Sequence, residues 1–559
     1  MALALIFRSL VNLVKLPLFP LWWGLRRAAR PRAPWLRVRI RSRVVELADP
    51  RRARLARFLP QLADRQPTAL ADLRRLATRI EGDKALRGVV VTLPMLAVGW
   101  ATAKGLRDAL SKLAQRTRLV VFLPEGGSHK ELYVASAADV IVATPQAPLL
   151  MLGLSSARQY MKGLLDKVGV QVERFARAEY KTAAETLTRD TMSDANREQV
   201  GALLDSVDRE LRDAIARGTL SAETVEGIFE RGFVRGEDAQ KMGLIDELAY
   251  EDEILERVEG DPKARRWLPA GRYLAFREAS FFAQLRPRPS IAVVPVHGTI
   301  GSGRKAKQVV AALRLARKDR RVRGVLLHVN SPGGSATVSD LIHREVVRVQ
   351  EKKPVVAFFG DVAASGGYYV ASHASAIVAQ PVTITGSIGV VSVRLLAENL
   401  LERVGVRTEV IRRAPHADMF SPTRPLEESE RAILEREMEA FYQSFVALVA
   451  DGRGRSETEV EPLARGRVWS GEDAKTRGLV DRLGGFEVAM EELRSRISKG
   501  DALEARLLTP KRLDVPPDLA KSAARAMIEA LSPDLAATIA LAGGSERVLL
   551  LEPSVPDIR

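Results

Sequence analysis

YVASAADVIVA (residues 133–143) and YVASHASAIVA (residues 369–379) agree at eight of eleven positions, and the chain around them aligns without a gap at a constant offset of 236 residues, 88–181 on 324–417. GEDAQKMGLID (236–246) meets GEDAKTRGLVD (471–481) at an offset of 235, so one residue was lost between the two matches. The repeating unit is therefore a whole domain of roughly 200 residues, too long for a solenoid repeat of about 20 to 50.

Within the second copy, apolar runs alternate with helical patterns. IAVVPV (291–296) reads as a buried strand, and a helical pattern covers 305–316. GVLLHVN (324–330), a helix over 338–350, PVVAFFG (354–360), a helix from Ser365 and IVA (377–379) follow. Strands apolar on both faces, alternating with helices, predict an α/β fold with a mostly parallel sheet and right-handed crossovers. The first copy echoes this in GVVVTLP (88–94) and LVVFLPEG (119–126). Each copy ends in a long charged helical stretch, 194–217 and 427–450, expected to be a solvated or interdomain face. Prolines at 262, 269, 287 and 289 mark a linker. The expected organisation is a membrane anchor and basic segment over 1–43, an N-terminal repeat over 44–259, a linker over 260–289, a C-terminal repeat over 290–500 and a tail over 501–559 without readable chemistry.

The absence of cysteine excludes disulfides, thiolate nucleophiles and Cys-ligated metals, so chemistry must come from other side chains. The net charge of +17 is local: residues 1–60 hold fourteen Lys or Arg against Glu46 and Asp49, which is +12 and leaves +5 for the other 499 residues. A near-neutral body argues against a nucleic-acid partner. Ahead of the basic run, residues 3–25 are mostly apolar, with Arg8, Asn12 and Lys15 spaced to share one helical face. Two cations at mid-bilayer would each cost about 2.5 to 3.5 kcal/mol. An in-plane amphipathic anchor therefore competes with a span, with Pro17 and Pro20 breaking the helix and Trp22, Trp23 and the arginines suiting the interface. No small-residue cleavage site follows, so removal as a signal peptide is not expected.

GDVAASGGYYVAS (360–372) puts Ser365 after an apolar strand and before a helical run, where free amides and the helix dipole favour developing negative charge. An ordinary N-cap serine would look the same. A second glycine turn, NSPGGSA (330–336), follows the neighbouring strand, and Gly333 and Gly334 can aim backbone amides at an oxyanion. Among the six histidines, His328 lies mid-strand, His343 mid-helix and His373 two helical turns beyond Ser365, leaving His129, His297 and His416 as weaker candidates for a base. A lysine base needs a buried amine that is neutral when it takes the proton. Lys181, in ARAEYKTAAETLTRD (176–190), stands among small residues; its equivalent in the second copy is Ala417, while the equivalent of Ser365 in the first is His129. One copy kept the amine and the other the hydroxyl, so the two repeats are expected to meet at one site.

GDVAASGGYY, NSPGGS, TGSIG (385–389) and EYKTAAE (179–185) together resemble the signal peptide peptidase A or protease IV family in its long tandem form, over roughly residues 44–495. The resemblance implies two tandem ClpP/crotonase-like domains and a serine endopeptidase that degrades signal peptides left in the membrane. By the same resemblance Ser365 is the nucleophile, Lys181 the general base, Ser387 the residue that orients the amine, and Gly333 with Gly334 the oxyanion turn. No metal or cofactor is implied. The implied partners are hydrophobic peptides, membrane lipid and further copies of the chain in a homo-oligomer, a tetramer by resemblance. The implied location is the bacterial plasma membrane, with the catalytic body outside the cytoplasm. The arginine flank opposes that side if the apolar segment spans. Other classes with a related fold are a crotonase-type acyl-CoA enzyme, working with acidic residues, and an inactive membrane scaffold.

Overall fold

The computed structural model describes residues 2–28, 33–49, 66–260, 267–282, 289–497, 503–508 and 549–551. The chain divides into two compact units, one of residues 1–153 with 208–289 and one of residues 154–207 with 290–559. The units are not the two repeats. Residues 154–207, counted from sequence with the N-terminal repeat, fold with the second copy.

The first unit is built on a six-stranded parallel sheet in the order Glu247–Leu248, Val140–Ala143, Arg118–Leu123, Gly88–Thr92, Trp35–Arg39 and Trp267–Pro269. Val89, Val90, Val91 and Leu119 to Leu123 are buried, as expected for strands covered on both faces. Part of the expected linker belongs to this unit, since Trp267–Pro269 pairs with Trp35–Arg37 and Ala270–Glu278 is helical. Three residues of edge strand are too short to register as a pattern amid prolines and arginines.

The N-terminal segment forms a helix over Ala2–Lys15, a tight turn over Leu16–Leu18 and a second helix over Phe19–Ala28. Pro17 sits in the turn, whereas Pro20 falls in the first turn of the second helix, where a missing N–H costs nothing. Among the described residues no helix is long and apolar enough to cross a membrane.

The second unit carries a sheet in the order Val468–Ser470, Ile384–Gly386, Val355–Ala364, Val322–Ser331, Ser290–His297 and Glu504–Leu507, with Ala376–Ala379 also paired to Val355–Ala364. The pairings are parallel except that of Ile384–Gly386 with Val468–Ser470. The helices Arg304–Lys318 and Ala336–Gln350 bury Leu313, Ala316, Ile342 and Val346 into the same core as Val294, Leu327 and Phe359. Val355–Ala364 forks: residues 356–359 pair with Ala376–Ala379, and residues 362–364 pair with Ile384–Gly386. Its end delivers Ser365.

A second, antiparallel sheet in this unit runs Gly333–Ser335, Leu549–Leu551, Val391–Leu396 and Gln171–Ala176. Six residues of Gln171–Ala176 pair in register with Leu396 back to Val391. That ladder is what attaches residues 154–207 to the second copy.

Candidate active site

Ser365 is fully buried, at the mouth of the short helix Gly366–Tyr369. Its backbone sits at φ 55°, ψ −118° and its side chain makes no capping bond, so it is not an ordinary N-cap. A non-glycine residue there is strained, by an amount of order 1–3 kcal/mol that the surroundings must hold. The Ser365 N–H donates to the Gly386 carbonyl at 2.8 Å, and the Ser365 carbonyl accepts from Tyr369 N–H at 2.9 Å. The helix is shorter than the sequence suggests and ends at Tyr369.

Lys181 is also fully buried. Its Nζ donates to Ser365 Oγ at 3.0 Å, to Ser387 Oγ at 2.7 Å and to the Ser387 carbonyl at 3.0 Å. Ser387 itself is buried at φ 51°, following Gly386 at φ 81°, so TGSIG is a turn that folds a hydroxyl and a carbonyl onto one amine. These three residues lie within one compact unit of one chain.

Several groups that the sequence did not single out fix the lysine. Arg174 Nη2 donates to the Lys181 carbonyl at 2.7 Å. Thr182 Oγ1 donates to Asn196 Oδ1 at 3.2 Å and accepts from Gln199 Nε2 at 2.8 Å, and Gln199 Oε1 accepts from Val468 N–H at 3.2 Å. Asn196 and Gln199 are buried at the start of the charged helix Asp194–Ala216, a stretch whose charge left a solvated and an interdomain face equally open. Gly466, at φ 77°, packs on the lysine so tightly that a β-carbon there would lie 2.6 Å from Lys181 N and 2.7 Å from Lys181 Cβ.

The two glycine turns meet. A β-carbon on Gly366 would lie 2.5 Å from Ser339 Oγ and 3.2 Å from the Gly334 nitrogen. On Gly367 it would lie 2.6 Å from the Ser331 carbonyl oxygen. Gly333 and Gly334 have φ of 102° and 152°, and the Gly333 N–H donates to Ser331 Oγ at 3.1 Å. The Gly334 amide is the one that borders the residue after Ser365.

The histidines are engaged elsewhere. In the first unit, His129 Nε2 accepts from Gly153 N–H at 3.0 Å and the ring stacks on Phe229 with centroids 6.3 Å apart. Burial holds the His129 imidazole below its usual range, a shift that outweighs the opposing effect of Glu131. His297 pairs with His328 at 3.2 Å, and His343 with His373 at 2.8 Å. His416 Nδ1 lies 3.5 Å from Glu430 Oε1. Among the described residues no group of three or more His, Asp or Glu is arranged to hold a metal ion.

The model of peptidase family S49 matches residues 119–265 and 347–498, the first segment holding Lys181 and the second Ser365. The chain is 32% identical to the chloroplastic serine protease SPPA of Arabidopsis thaliana over 486 residues, covering 82% of this chain and 69% of that protein. It is 31% identical to protease 4 of Salmonella typhi over 445 residues, 76% of this chain and 71% of that protein. Among solved structures, a point mutant of ClpP1 from Listeria monocytogenes matches at 18% identity and a TM-score of 0.25, covering 35% of this chain and 94% of that one. Two matched segments covering about half the chain, and relatives aligned along most of their own length, make this chain a member of peptidase family S49 and a serine-type peptidase.

Proposed function

We propose that the protein is a membrane-associated endopeptidase working through a Ser365–Lys181 dyad on signal-peptide remnants and other hydrophobic peptides. The observation that carries this reading is the 3.0 Å contact between two fully buried groups, the Lys181 amine and the Ser365 hydroxyl. Burial penalises the ammonium form, and the Ser387 hydroxyl and carbonyl orient the amine. Neutral Lys181 takes the Ser365 proton as Oγ attacks the scissile carbonyl carbon. The oxyanion is held at the turn of Gly333 and Gly334, where the Gly334 amide lies beside the helix-start residue Gly366. Protonated Lys181 then gives its proton to the leaving amine. Water, deprotonated by the same lysine, cleaves the acyl-enzyme and restores Ser365.

Substrate enters as an extended strand between Gly333–Ser335 and Val391–Leu396, whose backbones are spaced to take one strand between them. Membrane association is supported by the broken helical pair at the N-terminus. Leu10, Leu13, Val14, Leu21, Trp23 and Leu25 are exposed, and Phe19 and Trp22 cluster with Phe281 and Phe282 at centroid distances of 5.1 to 5.9 Å. Such a segment suits the headgroup boundary in plane. Exposed Val404, Val406, Val410 and Ile411 suit burial against a further copy, in keeping with a homo-oligomer.

The test is a fluorophosphonate probe on the wild type and on Lys181→Ala, with hydrolysis of an apolar peptide measured alongside. Labelling of Ser365 and turnover are expected in the wild type, and both should fall by at least about a thousandfold in the variant at unchanged melting temperature. Turnover that survives Lys181→Ala would refute the dyad. A Ser365 that never labels would identify a scaffold.

A further inference from the structure

The gap between Gly333–Ser335 and Val391–Leu396 is occupied by the chain itself. Leu549–Leu551 lies there as an antiparallel strand, with Leu549 opposite Ser335, Leu550 opposite Gly334 and Leu551 opposite Gly333 on one side, and Leu549 opposite Val391 on the other. Gly334 is the residue whose amide borders Gly366, directly after the nucleophile. The tail backbone therefore runs past the oxyanion turn where a substrate backbone has to run.

Reach and composition fit the placement. The edge strand Glu504–Leu507 ends well before Leu549, and the 40 residues 509–548 could extend to about 130 Å, far more than a domain radius. The tail strand lies in VLLL (548–551), a short apolar run of the kind the proposed reaction consumes. A tethered segment competes at an effective concentration in the millimolar range without needing high intrinsic affinity.

We propose that residues 549–551 act as an intramolecular competitor, filling the peptide track of the resting enzyme so that substrate must first displace the chain's own tail. The inference rests on the peptidase reading for its consequence, but not for the occupancy itself. Proline at position 550 removes an N–H and cannot sit inside a paired strand, so Leu550→Pro in the full chain should release the track. For a fluorogenic apolar peptide, KM should fall about five- to fiftyfold in Leu550→Pro, and likewise in an independent Leu549→Pro. Unchanged KM in both would overturn the proposal.

Binding separates this from catalysis. In the Ser365→Ala background, a fluorescein-labelled peptide copying residues 545–556 should bind the Leu550→Pro chain at least about fivefold more tightly than the chain with an intact tail, measured by anisotropy. Equal affinity, or no binding to either chain, would sink the tail assignment. A clear affinity difference with no hydrolysis by any active-site-intact chain would instead remove the peptidase reading and leave the occupied track standing.

Discussion

At the scale of single residues, the site is a lysine clamped from three sides. Ser365 and Ser387 supply two hydroxyls from strained positive-φ positions, Arg174 holds the lysine carbonyl, and Gly466 closes over its backbone. Gly466 combines a φ of 77° with a clearance that excludes a β-carbon, and its own N–H donates to the Ile388 carbonyl at 2.9 Å. Gly466→Ala must therefore either distort that turn or push Lys181 away. A shift of about 1 Å in a proton-transfer pair costs on the order of a hundredfold in rate. Peptide hydrolysis by Gly466→Ala is expected to drop by that factor through kcat with KM little changed, and a full-rate variant would show that the packing over the lysine is not what sets the distance between the Lys181 amine and the Ser365 hydroxyl. Sequence reasoning had no access to Gly466, because ARGRVWS carries no motif and the close approach exists only once residues 154–207 have folded onto the second copy.

Two elements decide whether that amine arrives. The strand Gln171–Ala176 brings Lys181 in by pairing with Val391–Leu396, and the pairing is reinforced by a largely buried ion pair between Glu173 and Arg394. Glu173 also meets Arg431 at 3.0 Å, while Arg394 donates to the carbonyls of Met419, Ser421 and Arg424. Removing one charge of a buried pair costs about 3 to 5 kcal/mol where the other is left uncompensated, and the carbonyls that stay on Arg394 put this pair at the lower end. Glu173→Gln should lower stability by roughly 3 kcal/mol, and adding Arg394→Met should recover most of it, as read from denaturant midpoints. If the double variant is no more stable than the single, the pair is not the fastening. The helix Ala336–Gln350 carries a different liability. Burial, with His373 adding to it, pushes the His343 imidazole down to about 4, against the opposing pull of Asp340. His343 Nε2 and His373 Nδ1 share a hydrogen bond of 2.8 Å, and Arg344 is the remaining charged neighbour. Because the unfolded chain binds a proton near pH 6.5 and the folded chain does so only near pH 4, stability falls as pH drops through that window and levels off below it. At pH 4.5 the loss is about 2.5 kcal/mol. His343→Gln should flatten the fall in melting temperature between about pH 7 and pH 4.5, and parallel curves for variant and wild type would dismiss the histidine as its source.

For the whole molecule, the repeat told more about chemistry than about folding units. Parallel strands, the flanking helices and the meeting of Ser365 with Lys181 follow from apolar runs and from the complementary repeats, whereas Ser387 entered only through the family resemblance. The crossing of residues 154–207 into the other unit does not, because strand pairing of Gln171–Ala176 is a long-range event and its half-buried residues show no clear alternation. The tail strand Leu549–Leu551 escaped for the same reason, three leucines being too short a pattern. The duplication leaves one more question, whether the first copy retains a site. At the position equivalent to Ser365 stands His129, bonded to Gly153 N–H and stacked on Phe229, and beside it Glu131 accepts from Ser128 N–H and from Leu96 N–H at 2.7 Å each. The corresponding turn is thus filled by its own side chains, and burial lowers the affinity of the imidazole for a proton. Saturating fluorophosphonate should accordingly add one label per chain, mapped by peptide mass to Ser365, and none in Ser365→Ala. Installing the missing hydroxyl by His129→Ser should not create a second label, since the lysine partner folds with the other copy; two labels per chain in that variant would mean the first unit holds a base of its own.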